Sequence, residues 1–356
     1  MKALLLSAYN HLEVKDMPAP VPDADELLIE VSACGICGSD VHGYDGSTGR
    51  RIPPIVMGHE AAGTVVAVGS AVDSFTPGDR VTFDSTVYCG RCAYCLKGEV
   101  NLCDARQVIG VSCKEFRRAG AFAELLTVPA RIAYHLPDSF SFPQAAMLEA
   151  VSVALHGVAV AEMKGGETVL VIGAGMIGLL LLQAARAAGA SRVFICDVDA
   201  TRLALAEKLG ADRTILASGG ALTAEILRET TGKGVDVVLE AVGREETIVA
   251  AVDCVRKGGT VSLVGNISPQ IMLPLQKVVS RQIRLQGSCA SAGEYQQAID
   301  LIASGTIRVD LLITAVAPLS DGPSWFERLH DREPGLMKIV LNPRMAASSE
   351  VGDRQP

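Results

Sequence analysis

The sequence predicts an α/β chain folded in two parts, a strand-rich one and a doubly wound parallel sheet. Three observations carry that expectation. At 356 residues the chain is longer than one hydrophobic core usually serves. From residue 167 to about residue 290, short apolar runs alternate with segments of helical spacing. The first of those runs, ETVLVIG, passes into a Gly-x-Gly-x-x-Gly turn at Gly173, Gly175 and Gly178 that opens the next helical segment.

Each element follows in order. Up to residue 135 the runs ELLIEVSACG, AAGTVVAVG, DRVTF and AFAELLTVP are β-branched and bounded by Gly, Pro and Asp, as strands are. PQAAMLEAVSVALHGVAVAEM (143–163) has helical spacing, with Pro143 in its first turn. Strand and helix then alternate: ETVLVIG with MIGLLLLQAARAAGA, SRVFICDVD with TRLALAEKLGA, ALTAEILRETTG with VDVVLEAVG, and ETIVAAVDCVRKGG with TVSLVGN. YQQAIDLIASGTI is a further helix, and the run through MKIVLNP returns to the first part. The expected domains are 1–152 with 291–345, then 153–290, with a disordered tail over 346–356. No internal repeat is visible.

Charge and composition exclude several classes. Net charge is −8, and the largest basic cluster is Arg117-Arg118, too short for a surface that tracks nucleic-acid phosphates. The N-terminal run MKALLLSAYNHLEV lacks the long apolar core and cleavage site of a secretory signal. The longest apolar stretch, around 168–189, is broken by glycines, Gln183 and Arg186, which argues against a membrane span. A cytoplasmic location is expected, and there ten cysteines point to metal rather than disulfides.

Cys89, Cys92, Cys95 and Cys103 are spaced Cys-x2-Cys-x2-Cys-x7-Cys within segment 86–104. Four thiolates this close suit a tetrahedral zinc, and four protein ligands close its shell, so this site is expected to be structural. Gly90 and Gly98 let the chain bend round the ion. A DNA-binding zinc ribbon fails for want of basic charge. An iron–sulfur cluster takes the same four cysteines.

A sparser set lies in GICGSDVHGYDG (35–46) and MGHEAAG (57–63). Cys37 offers a thiolate, His59 an imidazole and Glu60 a carboxylate; Glu149, in LEAVSVALH, offers another carboxylate. Three protein ligands and one open position are how a catalytic zinc is built. Downstream, the glycine turn lets a pyrophosphate approach the helix N-terminus, whose free N–H groups bind anions. Asp197 ends the next strand, at FICD, where a carboxylate accepts from an adenosine ribose and repels a 2′-phosphate. NAD is therefore expected ahead of NADP, with Arg202 softening that preference.

GHEAAGTVVAVG, the four-cysteine segment, GDRV, GAGMIG with Asp197, and GGTVSLVG stand in this order over nearly the whole chain. Together they resemble the zinc-dependent medium-chain alcohol dehydrogenases. The resemblance implies a GroES-like β-rich catalytic domain and a Rossmann NAD-binding domain, with the substrate in the cleft between them. It also implies two zinc ions per chain, one catalytic and one structural, and a homodimer or homotetramer. Met176, Ile177, Val242 and Val264 join the glycines as expected cofactor residues. Glu149 stands where alcohol dehydrogenases proper carry a cysteine, which resembles the polyol branch: sorbitol, xylitol, butanediol and galactitol-1-phosphate dehydrogenases, with threonine dehydrogenase as a cousin. Those enzymes usually read Glu-Pro, and this chain reads Glu149-Ala150. Either Glu60 or Glu149 is then the carboxylate on the metal.

The implied reaction oxidises a secondary alcohol of a polyol or sugar alcohol, phosphorylated or not, to a ketone. Zinc lowers the pKa of the hydroxyl, and the alkoxide passes a hydride to C4 of the nicotinamide. Ser39 resembles the family's relay hydroxyl and His42 its second relay group, an imidazole being suited to proton release near neutrality. Asp40 is expected to orient His59. Tyr44, Asp45, Arg50, Arg51, Phe122, Arg117 and Arg118 are candidates to approach the substrate. Oxidation of an amino alcohol such as threonine, and a non-catalytic NAD-binding protein on the same fold, are the alternatives.

Overall fold

In the computed structural model, which describes residues 1–113, 116–217 and 221–346, the apolar runs from Thr168 onward pair as six parallel strands. In chain order these are Thr168–Ile172, Arg192–Asp197, Arg213–Leu216, Val235–Glu240, Val255–Leu263 and Arg284–Gly287. Across the sheet they stand third, second, first, fourth, fifth, sixth. Burial on both faces explains why they read as unbroken apolar runs: Val169, Leu170, Val171, Phe194, Ile195, Val238 and Leu239 are fully enclosed. The first strand pairs with both the second and the fourth. The order therefore reverses at its carboxyl end, where such sheets take their ligands.

One element is shorter than its sequence suggests. The helix expected through ETIVAAVDCVRKGG stops at Cys254, and a strand runs from Val255 to Leu263. Val255 is buried and paired with Val235. A β-branched residue with a strand partner outweighs one more helical turn.

The strand-rich part is organised by the long strand Glu26–Gly35. Three antiparallel partners share it: Glu60–Val68, Leu125–Pro129 and Lys338–Asn342. The sheet continues through Arg80–Phe83 and Ala133–His135 on one side and Ile313–Pro318 on the other. Leu27, Ile29, Val31, Val65, Phe83, Val128 and Ile339 belong to its core. The register sets Gly35 opposite both Glu60 and Val340, so segments far apart in sequence meet at one point.

The chain groups into two compact units, Met1–Glu149 with the stretch from Val309, and Ala150–Arg308. The sequence expectation returns the chain to the first unit at 291. Helix Tyr295–Ala303 instead groups with the second, burying Tyr295, Ala298 and Ile299. Of the tail expected over 346–356, residues 347–356 lie outside the described ones. No helix among the described residues is long and apolar enough to cross a membrane.

Candidate active site and metal centres

Cys37 follows strand Glu26–Gly35 and caps helix Gly38–Tyr44; its backbone N–H donates to Asp40 Oδ2 at 3.3 Å. Glu60 begins the neighbouring strand, Glu60–Val68, and His59 directly precedes it. Ligand atoms of Cys37, His59 and Glu60 all lie within 4.8 Å of one another. A thiolate, an imidazole and a carboxylate at that spacing fit a zinc ion with a position left open. The electrostatics agree. Burial pushes the His59 pKa down, but Asp40 and Cys37 overcome this and hold it well above the ordinary value. The group favours positive charge at its centre.

A further layer holds these ligands. Asp40 is fully buried; its Oδ1 lies 3.4 Å from His59 Nδ1 and accepts from Arg51 Nε and Nη2 at 3.2 and 3.0 Å. Burial opposes its ionisation, yet His59 and Arg51 hold its carboxyl well below the usual range. On the other side, Lys338 Nζ donates to Glu60 Oε2 and to Ile36 O, and both side chains are almost wholly buried. Gly35 clears this space, since a Cβ there would collide with Glu60 Oε2.

Glu149 is not part of the tight group. It sits in the first turn of helix Leu148–Ala159 and accepts from Ser85 Oγ at 3.4 Å. Burial raises its pKa and the Glu60 charge adds to that, against the pull of His59. Ser39 and His42 are both exposed, three residues apart on helix Gly38–Tyr44 and so on one face.

Several residues expected near a substrate are committed elsewhere. Arg51 is buried on Asp40, with its Nη2 also 3.2 Å from Ser39 Oγ. The Tyr44 hydroxyl donates to Asn10 O at 2.9 Å, Phe122 is core, Arg118 pairs with Glu26, and Asp45 lies 3.3 Å from His330. Arg50 and Arg117 are exposed.

The second cysteine group closes on itself. Strands Thr86–Val87 and Gln107–Val108 pair and bracket the loop between them. Ligand atoms of Cys89, Cys92, Cys95 and Cys103 lie within 4.8 Å of one another, with Cys92 and Cys95 sulfurs 3.5 Å apart. Gly90 and Gly98 take φ of 74° and 84°, the left-handed turns that bend the loop. Backbone N–H groups of Cys95 and Asp104 hold the Cys92 thiol down to about 6. Burial and the Cys92 sulfur push Cys95 up to about 12. Four sulfurs gathered this closely are the donor set a tetrahedral divalent cation satisfies.

In the second unit the glycines have separate tasks. Gly173 has φ of 97°, and a Cβ there would stand 2.7 Å from Val242 Cγ2. Gly175 caps helix Met176–Ala187, and a Cβ on Gly178 would collide with Gly173 O. Met176 and Ile177 form the first turn, half-buried. Asp197 ties this turn in place: Ala174 N donates to its Oδ2 at 2.6 Å and Asp199 N to its Oδ1 at 2.9 Å. Each oxygen keeps a lone pair for a ribose hydroxyl. Arg202 leans on Asp199, 3.6 Å away. Val242 N donates to Glu240 Oε1 and Val264 N to Glu240 O, both at 2.9 Å. Glu240, Lys338, Gly35 and the supporting role of Arg51 are not anticipated by the sequence. The one signal available is Gly35 itself, a glycine directly before the Ile36-Cys37 step.

Comparison with known proteins matches residues 23–138 to the alcohol dehydrogenase GroES-like domain and residues 177–304 to the zinc-binding dehydrogenase domain. Sorbitol dehydrogenase of Bacillus subtilis (strain 168) is 33% identical over 96% of this chain and 97% of its own length. A candidate zinc-binding dehydrogenase from Sinorhizobium meliloti 1021, solved bound to NADP, is 35% identical with a TM-score of 0.87, over 96% of this chain and 99% of that one. Galactitol-1-phosphate dehydrogenase from Escherichia coli is 28% identical with a TM-score of 0.88, over 96% of this chain and 100% of that one.

Proposed function

The chain belongs to the zinc-dependent medium-chain alcohol dehydrogenases, and from that premise we propose that it oxidises a secondary alcohol of a polyol or sugar alcohol, phosphorylated or not, to the ketone, with NAD as hydride acceptor. The observation that carries this reading is the group Cys37, His59 and Glu60 with Ser39 and His42 on the helix that Cys37 caps. A zinc ion held by those three residues supplies Lewis acidity toward a hydroxyl, and NAD supplies the acceptor for a hydride. The chain's own residues do the rest. Asp40 holds the His59 ring, and Lys338 holds Glu60. Ser39 Oγ takes the hydroxyl proton as it releases its own, and His42, one helical turn on, passes the released proton to solvent.

The sorbitol and galactitol-1-phosphate dehydrogenases among the relatives support a polyhydroxy substrate. NAD is favoured over NADP because Asp197 ends the second strand of the parallel sheet, where a carboxylate repels a 2′-phosphate, and Arg202 is drawn to Asp199. The Cys89–Cys103 group takes the second, structural zinc. Assembly as a homodimer or homotetramer is supported by the edge strand Arg284–Gly287 and the exposed Ile267, Met272, Leu275 and Val279 just before it. The gathering of Cys89, Cys92, Cys95 and Cys103 as free thiols placed to hold a metal supports a cytoplasmic location.

The test mixes protein with NAD or NADP and a panel of polyols, hexitol phosphates, threonine and simple alcohols, and follows absorbance of the reduced cofactor. Turnover on a polyol with NAD is expected. Turnover confined to threonine or simple alcohols, or silence from protein carrying two zinc ions per chain, would sink the substrate reading.

A further inference from the structure

We propose that Arg51 is a positioning residue of the metal site, fixing the Asp40 carboxylate against His59 and anchoring the Ser39 hydroxyl with the same nitrogen. This rests on Cys37, His59 and Glu60 being zinc ligands. Arg51 is 4% exposed, and its Nε and Nη2 both donate to Asp40 Oδ1. Asp40 thereby joins three things: the guanidinium, the ring of one ligand residue and, through Oδ2, the backbone N–H of another. The fold makes room for this arm, since a Cβ on Gly43 would collide with Arg51 Cγ. Without Arg51 the buried carboxylate loses the two N–H donors that fix its Oδ1, so it is free to turn, and turning releases His59. A lysine restores the charge without the planar fork that spans two acceptors. The guanidinium has no acceptor, so Ser39 Oγ must accept from it, and the serine's own proton is left to point elsewhere.

The test is zinc release to a chromogenic chelator, which needs no substrate. Wild-type protein is expected to release zinc in two phases, and the phase missing from Cys37→Ser marks the three-ligand site. Arg51→Met should speed that phase about 10–100-fold, the usual effect of losing a partner behind a metal ligand, and leave the other phase unchanged. Arg51→Lys should recover only part of the difference. In an Asp40→Asn background, Arg51→Met should add less than about twofold, because its effect runs through that carboxylate. A wild-type release rate in Arg51→Met, or effects of the two substitutions that multiply, overturns the proposal. Should Arg51→Met not fold, a wild-type rate in Arg51→Lys overturns it equally. Wild-type protein with one releasable zinc fails the ligand reading itself and this inference with it. Two releasable zinc ions and an unchanged variant rate fail only the role of Arg51.

Discussion

Removing one half of the Lys338–Glu60 pair is costlier than removing both. The two side chains are 3% and 1% exposed, so neither charge has water to fall back on. Such a pair contributes little net stability, because desolvation offsets the attraction, but a lone survivor is an uncompensated buried charge. In protein stripped of zinc, where no metal ion stands in for the lysine beside Glu60, Lys338→Met is expected to lower the unfolding free energy by about 3–5 kcal/mol, and adding Glu60→Gln to restore much of it. Urea unfolding of the two variants checks this; a double variant as unstable as the single one would make Lys338 a packing residue only. The same residues mark what a sequence can say at this scale. Cys37, His59 and the four clustered cysteines are legible because their side chains carry ligand chemistry at short spacing. Lys338 is not, because its partner lies 278 residues away and lysines usually face solvent. Arg51 reads as a substrate contact until its burial places it behind the ligands.

Three strands of the parallel sheet are stapled at their amino ends by Asp236. Its Oδ2 accepts from Thr168 N and Oγ1 at 2.8 and 2.7 Å, and its Oδ1 from Arg256 Nε at 2.6 Å. Burial pushes its pKa up, but Arg256 and Thr168 prevail and hold it below the ordinary value. A carboxylate with a depressed folded pKa adds stability above its unfolded pKa and loses it as pH falls through the folded one. The melting temperature of Asp236→Asn should therefore sit below wild type at neutral pH, with the gap closing below about pH 4. Thermal melts across that range test the staple, and a gap that persists unchanged to the acid end would remove the ionised carboxylate from the account. Strand–helix alternation is legible at this scale because each element carries its own period. The helix end at Cys254 is not, because the fate of Val255 is decided by Val235, twenty positions earlier in the chain.

The proposed zinc ligands and the proposed cofactor residues belong to different units of the molecule. Cys37, His59, Glu60 and the four clustered cysteines lie in Met1–Glu149, while Gly173, Gly175, Gly178 and Asp197 lie in Ala150–Arg308. A sequence shows where the alternation ends but not which core an amphipathic helix turns to, so Tyr295–Ala303 is misplaced by rhythm alone and assigned by its buried face. The hydrogen bonds that shape each set stay within its own unit: Asp197 with Ala174 and Asp199, Asp40 with Arg51 and Cys37. Sites without shared partners respond independently, to within about twofold. Cys37→Ala is thus expected to lose its catalytic zinc and its turnover yet keep NADH affinity within about that factor. Asp197→Ala is expected to lose NADH affinity and keep two zinc ions per chain. NADH fluorescence titrations paired with metal analysis of both variants separate the outcomes. A tenfold or larger fall in NADH affinity in Cys37→Ala would mean that the cofactor residues are shaped by the metal site after all, and that neither unit's geometry can be read alone.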